Sequence, residues 1–452
     1  MNLQKGDVIQ IEIDDLAFGG DRVGHYQGLA VFLDKGIPGE IVKAKIVFVK
    51  KNYARGKVYN IKRKSQDRHK PRCPVYEDCG GCQLQELNYN KQLLYKKKMV
   101  DDALQRIGEI DKKTNCVIGC EYPWHYRNKA QFPLTKTAEG QIRAGFYKRG
   151  SHRVVVNERC PIQHQLINRI AEKTIKKLNT YEELTVYNEN NNRGLLRHLV
   201  IRVGICTNQA LLVLVTNKEE FPYLKEIADN LIEEIPELMG VMQNINNQKT
   251  NVIFGESTKL IAGKNKIIDY IGNVKYSISP DSFFQVNTLQ AEKLYNVIRD
   301  FADLKGNTVC DCYCGIGSIG LYLADKAKKV IGIEKNKSAI KMARKNASLN
   351  KIDNIKYILG KVNEGLNKFV NNNDQINIFI FDPPRKGLKE EVIAKTLKLK
   401  PDKIVYVSCN PSTQARDLKI LSEEYILDKI QAIDMFPQTY HVETVALLKR
   451  DN

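Results

Sequence analysis

The sequence predicts a multidomain protein: a small N-terminal β-barrel, a central α+β segment, and a C-terminal α/β domain of Rossmann-like type. Three patterns carry that expectation. Val309 to Gly320 reads as an apolar strand entering a glycine-rich turn that opens a helix, with Gly315, Gly317 and Gly320 in G-x-G-x-x-G register. Three further apolar strands run into polar residues: Lys329 to Ile333 into Glu334, Ile376 to Phe381 into Asp382, and Lys403 to Ser408 into Cys409. Residues 1–62 instead alternate apolar and polar in short runs separated by glycine, as half-buried strands do.

Taken in order, the barrel strands are expected at Val8–Ile13, Leu29–Phe32, Ile41–Val47 and Gly56–Tyr59, with turns at Gly19-Gly20, Gly24, Gly36 and Pro38-Gly39. Lys50, Lys51, Tyr53 and Arg55 mix charge with an aromatic ring, a combination suited to single-stranded RNA. A basic linker, Lys62 to Arg72, leads to Cys73-x5-Cys79-Gly80-Gly81-Cys82, and a fourth cysteine follows at Cys160. Three close thiols and one distant one can surround a metal centre, and on spacing alone zinc and an iron–sulfur cluster fit equally. Cys116, Cys120 and Cys206 lack such a setting and read as ordinary buried thiols.

A helix is expected over residues 86–107, with Leu93, Val100, Leu104 and Ile107 at helical spacing, Gly108 as its stop, and Lys96-Lys97-Lys98 on an exposed face. Residues 122–270 read as α+β. There Arg127, Lys129, Arg143, Lys148, Arg149, His152, Arg197 and Arg202 recur, the kind of side chains that can make a phosphate-facing sheet. From residue 272 onward, helices near 288–302, 318–327, 337–350, 389–397 and 413–424 alternate with strands. The last two strands, Ile426–Met435 and Val442–Lys449, look antiparallel and enclose Phe436 to His441. The expected division is therefore 1–62, 63–271 and 272–452.

The chain has 452 residues, enough for about three domains by the usual length rule. Lys and Arg number 71 against 52 acids, a net charge of +19 that favours a polyanionic partner, most simply nucleic acid. Met1 to Asp15 carries Lys5, Asp7, Glu12, Asp14 and Asp15, unlike a secretion signal, and runs such as Leu211 to Val215 are too short to span a membrane. A cytoplasmic, monomeric protein is expected, and in that compartment the eleven cysteines point to metal or catalytic use rather than disulfides.

Ligands of open α/β sheets bind beyond the carboxyl ends of the strands. Glu334, Asp382 and Cys409 should therefore meet at one edge, a thiol beside a nucleotide site. The glycine turn by itself suits a dehydrogenase, a flavoprotein or an S-adenosylmethionine methyltransferase.

The motifs that follow separate these classes. Asp281-Ser-Phe-Phe-Gln-Val-Asn287, Asp311-Cys-Tyr-Cys-Gly315, Asp382-Pro-Pro-Arg385, Ser408-Cys-Asn-Pro411 and Phe436-Pro-Gln-Thr-Tyr-His-Val-Glu443 stand in the order of the RNA uracil-5-methyltransferase family, which the chain closely resembles. The N-terminal segment resembles the TRAM domain, an OB-like RNA-binding barrel. The resemblance implies S-adenosylmethionine as cofactor, bound by Gln285, Tyr313, Glu334 and Asp382, with Glu334 on the ribose. It implies Cys409 as nucleophile and Glu443 as base. It also implies a [4Fe-4S] cluster on Cys73, Cys79, Cys82 and Cys160, and, from barrel and cysteines together, 23S ribosomal RNA as partner rather than transfer RNA.

The chemistry needs those residue types. Uracil C5 is a poor nucleophile until a thiolate adds to C6, and after methyl transfer the C5 proton must leave before the thiol can be expelled. A nucleophile and a separate base are required. An RNA cytosine-5-methyltransferase carries different cysteine motifs, and a non-catalytic RNA-binding factor has no need of both Cys409 and Glu443.

Overall fold

The structure is a computed structural model describing residues 3–157, 159–372 and 375–451. Its N-terminal strands form a six-stranded sheet in the order Val8–Glu12, Ile41–Val49, Tyr53–Arg63, Leu29–Leu33, Arg22–Tyr26, Asp15–Leu16. Alternation sends Ile9, Ile11, Val31, Leu33, Val42 and Ala44 to one core. The sheet curls until its ends meet: a Cβ on Gly24 would lie 2.2 Å from the Glu12 carbonyl oxygen. Lys50 and Lys51 sit at the exposed tip between two long strands, with the Phe32, Phe48 and Tyr53 rings beside them.

The expected helix is present as Tyr89–Arg106, N-capped by Asn88. Beyond it, a seven-stranded sheet runs Ser257–Gly263, Leu238–Ile245, Ala210–Thr216, Leu196–Val203, Lys129–Lys136, Ile142–Tyr147, Val154–Val156. Helices Gln165–Leu178 and Leu224–Glu234 share its core. Two of the basic residues that recur on this segment turn inward. Arg197 is buried and donates to the carbonyls of Asn246 and Gln248, and Arg202 donates to Ser282 O.

The C-terminal sheet is ordered Ile355–Leu359, Lys329–Glu334, Thr308–Cys312, Ile378–Phe381, Lys403–Ser408, Glu443–Arg450, Tyr425–Ile433. The first five strands are parallel and the last two antiparallel, with apolar cores on both faces. Helices Thr288–Ala302, Lys337–Leu349, Glu390–Leu399 and Pro411–Leu421 stand within a few residues of their expected places, whereas Ser318–Leu323 is shorter than expected. A hairpin of Ile267–Ile271 with Val274–Ile278 precedes them, and the expected division at 271/272 falls in its turn.

Candidate active site

The parallel register brings three expected residues to one edge. Cys312 pairs with Ile333 on one side and Phe381 on the other, so the next residues out, Tyr313, Glu334 and Asp382, leave neighbouring strands together. The glycine turn lies among them. Tyr313, Gly315 and Gly317 all adopt positive φ (67°, 54° and 81°), and a Cβ on Gly317 would sit 2.5 Å from the Tyr357 hydroxyl. Glycine is thus required there by space and by backbone conformation. The Glu334 carboxylate accepts from Gly315 N at 3.3 Å and Asn336 N at 2.8 Å.

Asp311 is a functional candidate that the sequence reading missed. Fully buried beneath the turn, it accepts from Gly320 N at 2.8 Å, and burial pushes its carboxyl up to about 7. A single acid inside a strand gives no periodicity signal. Asp382 keeps some surface at the site, yet desolvation by the surrounding walls raises its carboxyl to about 7 as well. These features fit a nucleotide-type cofactor: a turn open to close approach, a carboxylate at the neighbouring strand end, and a second acid opposite.

Gln285 lies in the segment just before the helix Thr288–Ala302. It is buried, and its carbonyl accepts from Asn128 Nδ2 at 2.8 Å. Its neighbour Phe284 packs on Tyr276, whose hydroxyl donates to Ser318 O at 2.9 Å, tying the segment to the glycine-turn helix.

The antiparallel strands set the other half of the site. Ser408 pairs with Thr444, so the next pair outward is Cys409 and Glu443, side by side. Arg385 lies with them, its guanidinium 3.4 Å from His441 Nε2 and its carbonyl accepting from Asn410 Nδ2. Burial, Glu443 and Asp382 push the Cys409 thiol up to about 11, against the pull of Arg385. Glu443 is raised well above the usual carboxylate range by burial and by Asp382. His441 is pushed down to about 4 by burial and the nearby cations. The strand starts only at Glu443, and His441 lies in the turn before it.

Cys73, Cys79, Cys82 and Cys160 line one cavity of about 420 Å³, together with Tyr76 and Phe146. Asn157 Nδ2 donates to Cys73 Sγ at 3.7 Å and Gly81 N to Cys79 Sγ at 3.4 Å. Burial raises all four thiols, Cys82 to about 12 and Cys160 to about 11. Among the described residues, no three His, Cys, Asp or Glu side chains gather into a ready single-ion site. Of the cysteines read as buried and ordinary, Cys120 is buried, but Cys116 and Cys206 are exposed.

Strand order, glycine turn and edge acids fit an S-adenosylmethionine-dependent methyltransferase, and sequence comparison makes it an RNA methyltransferase. The chain belongs to the tRNA (uracil-5-)-methyltransferase family, which matches residues 88–451, and a TRAM domain matches residues 2–59. It is 43% identical over 453 residues to an RNA methyltransferase of Halalkalibacterium halodurans (100% of this chain, 98% of the relative). A Clostridium tetani RNA methyltransferase is 41% identical, covering 99% and 97%. Among solved structures, it is similar to the Pyrococcus abyssi tRNA (uracil-54, C5)-methyltransferase in complex with S-adenosyl-L-homocysteine. That match has 28% identity and a TM-score of 0.77, covering 97% of this chain and 100% of that one.

Proposed function

We propose that the protein methylates uridine C5 through a covalent adduct between Cys409 and C6 of the base, and that its substrate is 23S ribosomal RNA. The observation that carries the mechanism is the register that sets Cys409 beside Glu443 at the edge holding Asp382 and Glu334. S-adenosylmethionine supplies the methyl group, with Gln285, Tyr313, Glu334 and Asp382 as its binding residues. Cys409 adds to C6, Arg385 favours the thiolate, and C5 becomes nucleophilic. Glu443 then takes the C5 proton. A buried carboxylate with a raised pKa is a strong base once ionised, whereas an imidazole pushed down to about 4 is a weak one. The target base must leave its stack to reach this edge.

Cys73, Cys79, Cys82 and Cys160 are proposed to hold a [4Fe-4S] cluster. Four thiols around one cavity, two of them accepting N–H donors, suit that group. Zinc is the competing occupant, because four thiolates suit it too. Iron with acid-labile sulfide in anaerobically purified protein supports the cluster, and stoichiometric zinc without sulfide sinks it.

Transfer RNA is the second reading, favoured by one observation: the Pyrococcus abyssi enzyme, which this chain matches over 97% of its length, is by its description a tRNA uracil-54 enzyme. Labelled methyl groups mapped onto ribosomal and transfer RNA transcripts decide between them. Label at uridine of large-subunit ribosomal RNA fits the first reading; label confined to transfer RNA overturns it.

A further inference from the structure

The turn between the last two strands, Asp434 to His441, is held from four sides. Gln438 sits in the left-handed region at φ 69°, although it is not glycine and is almost fully buried. Such a conformation persists only where its surroundings over-determine it. Here Gln438 N donates to Gln92 Oε1 at 3.1 Å, and Gln92 Nε2 donates back to Gln438 Oε1 at 3.0 Å. The Gln438 carbonyl accepts from both Gln83 N and Leu84 N, at 3.1 and 3.0 Å. The neighbouring Pro437 carbonyl accepts from the buried Tyr126 hydroxyl at 3.0 Å.

The base of the turn is fixed as firmly. Lys96, fully buried, donates to Asp434 Oδ1 at 2.6 Å and to Phe436 O at 3.1 Å, and Tyr89 donates to Asp434 Oδ2 at 2.9 Å. From the barrel, Phe18 meets the Tyr440 ring edge-on. None of these partners lies in the C-terminal sheet. Gln83 and Leu84 directly follow Cys82, and Tyr126 packs in one cluster with Cys82 and Cys160, so the turn also borders the thiol cavity.

We propose that Tyr126 and Gln92 are positioning residues for proton abstraction: through Pro437 and Gln438 they fix the turn that delivers Glu443 to the C5 proton. This rests on Glu443 being the base. In the step concerned, the C5 proton passes to the Glu443 carboxylate, the C5–H pair becomes the C5=C6 bond, and the C6–S pair returns to the Cys409 sulfur. Methyl transfer precedes it and uses Cys409 and the cofactor edge, which this turn meets through His441 beside Arg385 and not through Pro437 or Gln438. A slackened turn therefore slows elimination selectively.

Single-turnover assays with labelled S-adenosylmethionine and a substrate RNA fragment read the two steps separately: label entering RNA reports methyl transfer, and RNA leaving the protein on denaturing gels reports elimination. Tyr126→Phe removes one hydroxyl and keeps the ring. It should slow elimination at least about tenfold, leave methyl transfer within about twofold, and accumulate a methylated adduct. Gln438→Gly accepts the positive φ but loses the bridge to Gln92 and should behave likewise; Gln438→Ala must strain the backbone too and should be slower still. Glu443→Gln, run in parallel, should trap the same adduct. If Glu443→Gln traps it while Tyr126→Phe and Gln438→Gly release product at the wild-type rate, the positioning role is overturned. Equal slowing of both steps also overturns it, since that is what general loss of structure produces. If Glu443→Gln itself traps no methylated adduct, the base assignment fails and the proposal with it.

Discussion

Cys409 works against its own surroundings. A thiol pushed up to about 11 is almost wholly protonated at neutral pH, so adduct formation should accelerate with pH. The expected rise is roughly tenfold per unit between pH 7 and 9 under single-turnover conditions, from the thiolate fraction alone; a flat profile contradicts the environment described. Asp311 gives a stability prediction with a defined sign. Its folded pKa of about 7 lies above the ordinary aspartate value, so the folded state holds the proton more tightly. Its contribution is most favourable below about pH 4 and is lost as pH rises through 7. Asp311→Asn should therefore gain stability relative to wild type as pH rises from 5 to 8, by an amount on the order of 1–3 kcal/mol. Melting curves across that range check it, and a constant difference contradicts it. That Cys409, Glu443, Glu334 and Asp382 stand at one sheet edge was legible because each lies at a strand end or within a multi-residue motif. Lys96 was not. In a Lys-Lys-Lys run it reads as solvated, and its partner Asp434 lies 338 residues away.

At the scale of elements, the α/β alternation was legible because buried strands and amphipathic helices carry different hydrophobic periods. The edge strand Ile355–Leu359 and the helix Val362–Asn372 lie outside the expected elements; the strand is short and half exposed, which leaves little period to read. The helix Tyr89–Arg106 shows what periodicity cannot convey. Its register was clear, yet its Gln92 and Lys96 are buried and bonded to the turn before Glu443. Removing one partner of a buried ion pair strands the other charge. Lys96→Met should lower stability by about 3–5 kcal/mol, whereas Lys97→Met, at a half-exposed pair with Asp101, should cost under about 1 kcal/mol. Chemical denaturation of the two variants measures the contrast, and equal losses contradict the buried pair.

Across the whole molecule, the barrel is no free appendage. Arg68 binds the buried Glu40 carboxylate through two nitrogens, at 2.6 and 2.8 Å, and Arg22 donates to Gln83 O. Deleting residues 1–62 would strip these contacts and Phe18 from the turn, so the barrel's role in RNA affinity is better tested at its exposed tip. Lys50→Ala with Lys51→Ala should weaken RNA binding and flatten its salt dependence by about two ion equivalents, with S-adenosylmethionine affinity unchanged; titrations at several salt concentrations check both. The +19 charge had announced a polyanionic partner, but not which cations are spoken for: Lys148 and Arg153 pair with Asp78, and Arg149 with Asp21. Barrel, helix, thiol segment and sheet all converge on the turn that leads into Glu443, where the adduct is resolved. Mass spectrometry of Glu443→Gln after incubation with substrate RNA and S-adenosylmethionine reads that chemistry. The expected product is a peptide containing Cys409 linked to a uridine that already carries the transferred methyl, absent from Cys409→Ala and from the double variant. Normal turnover by Glu443→Gln, or an adduct without the methyl, would contradict it.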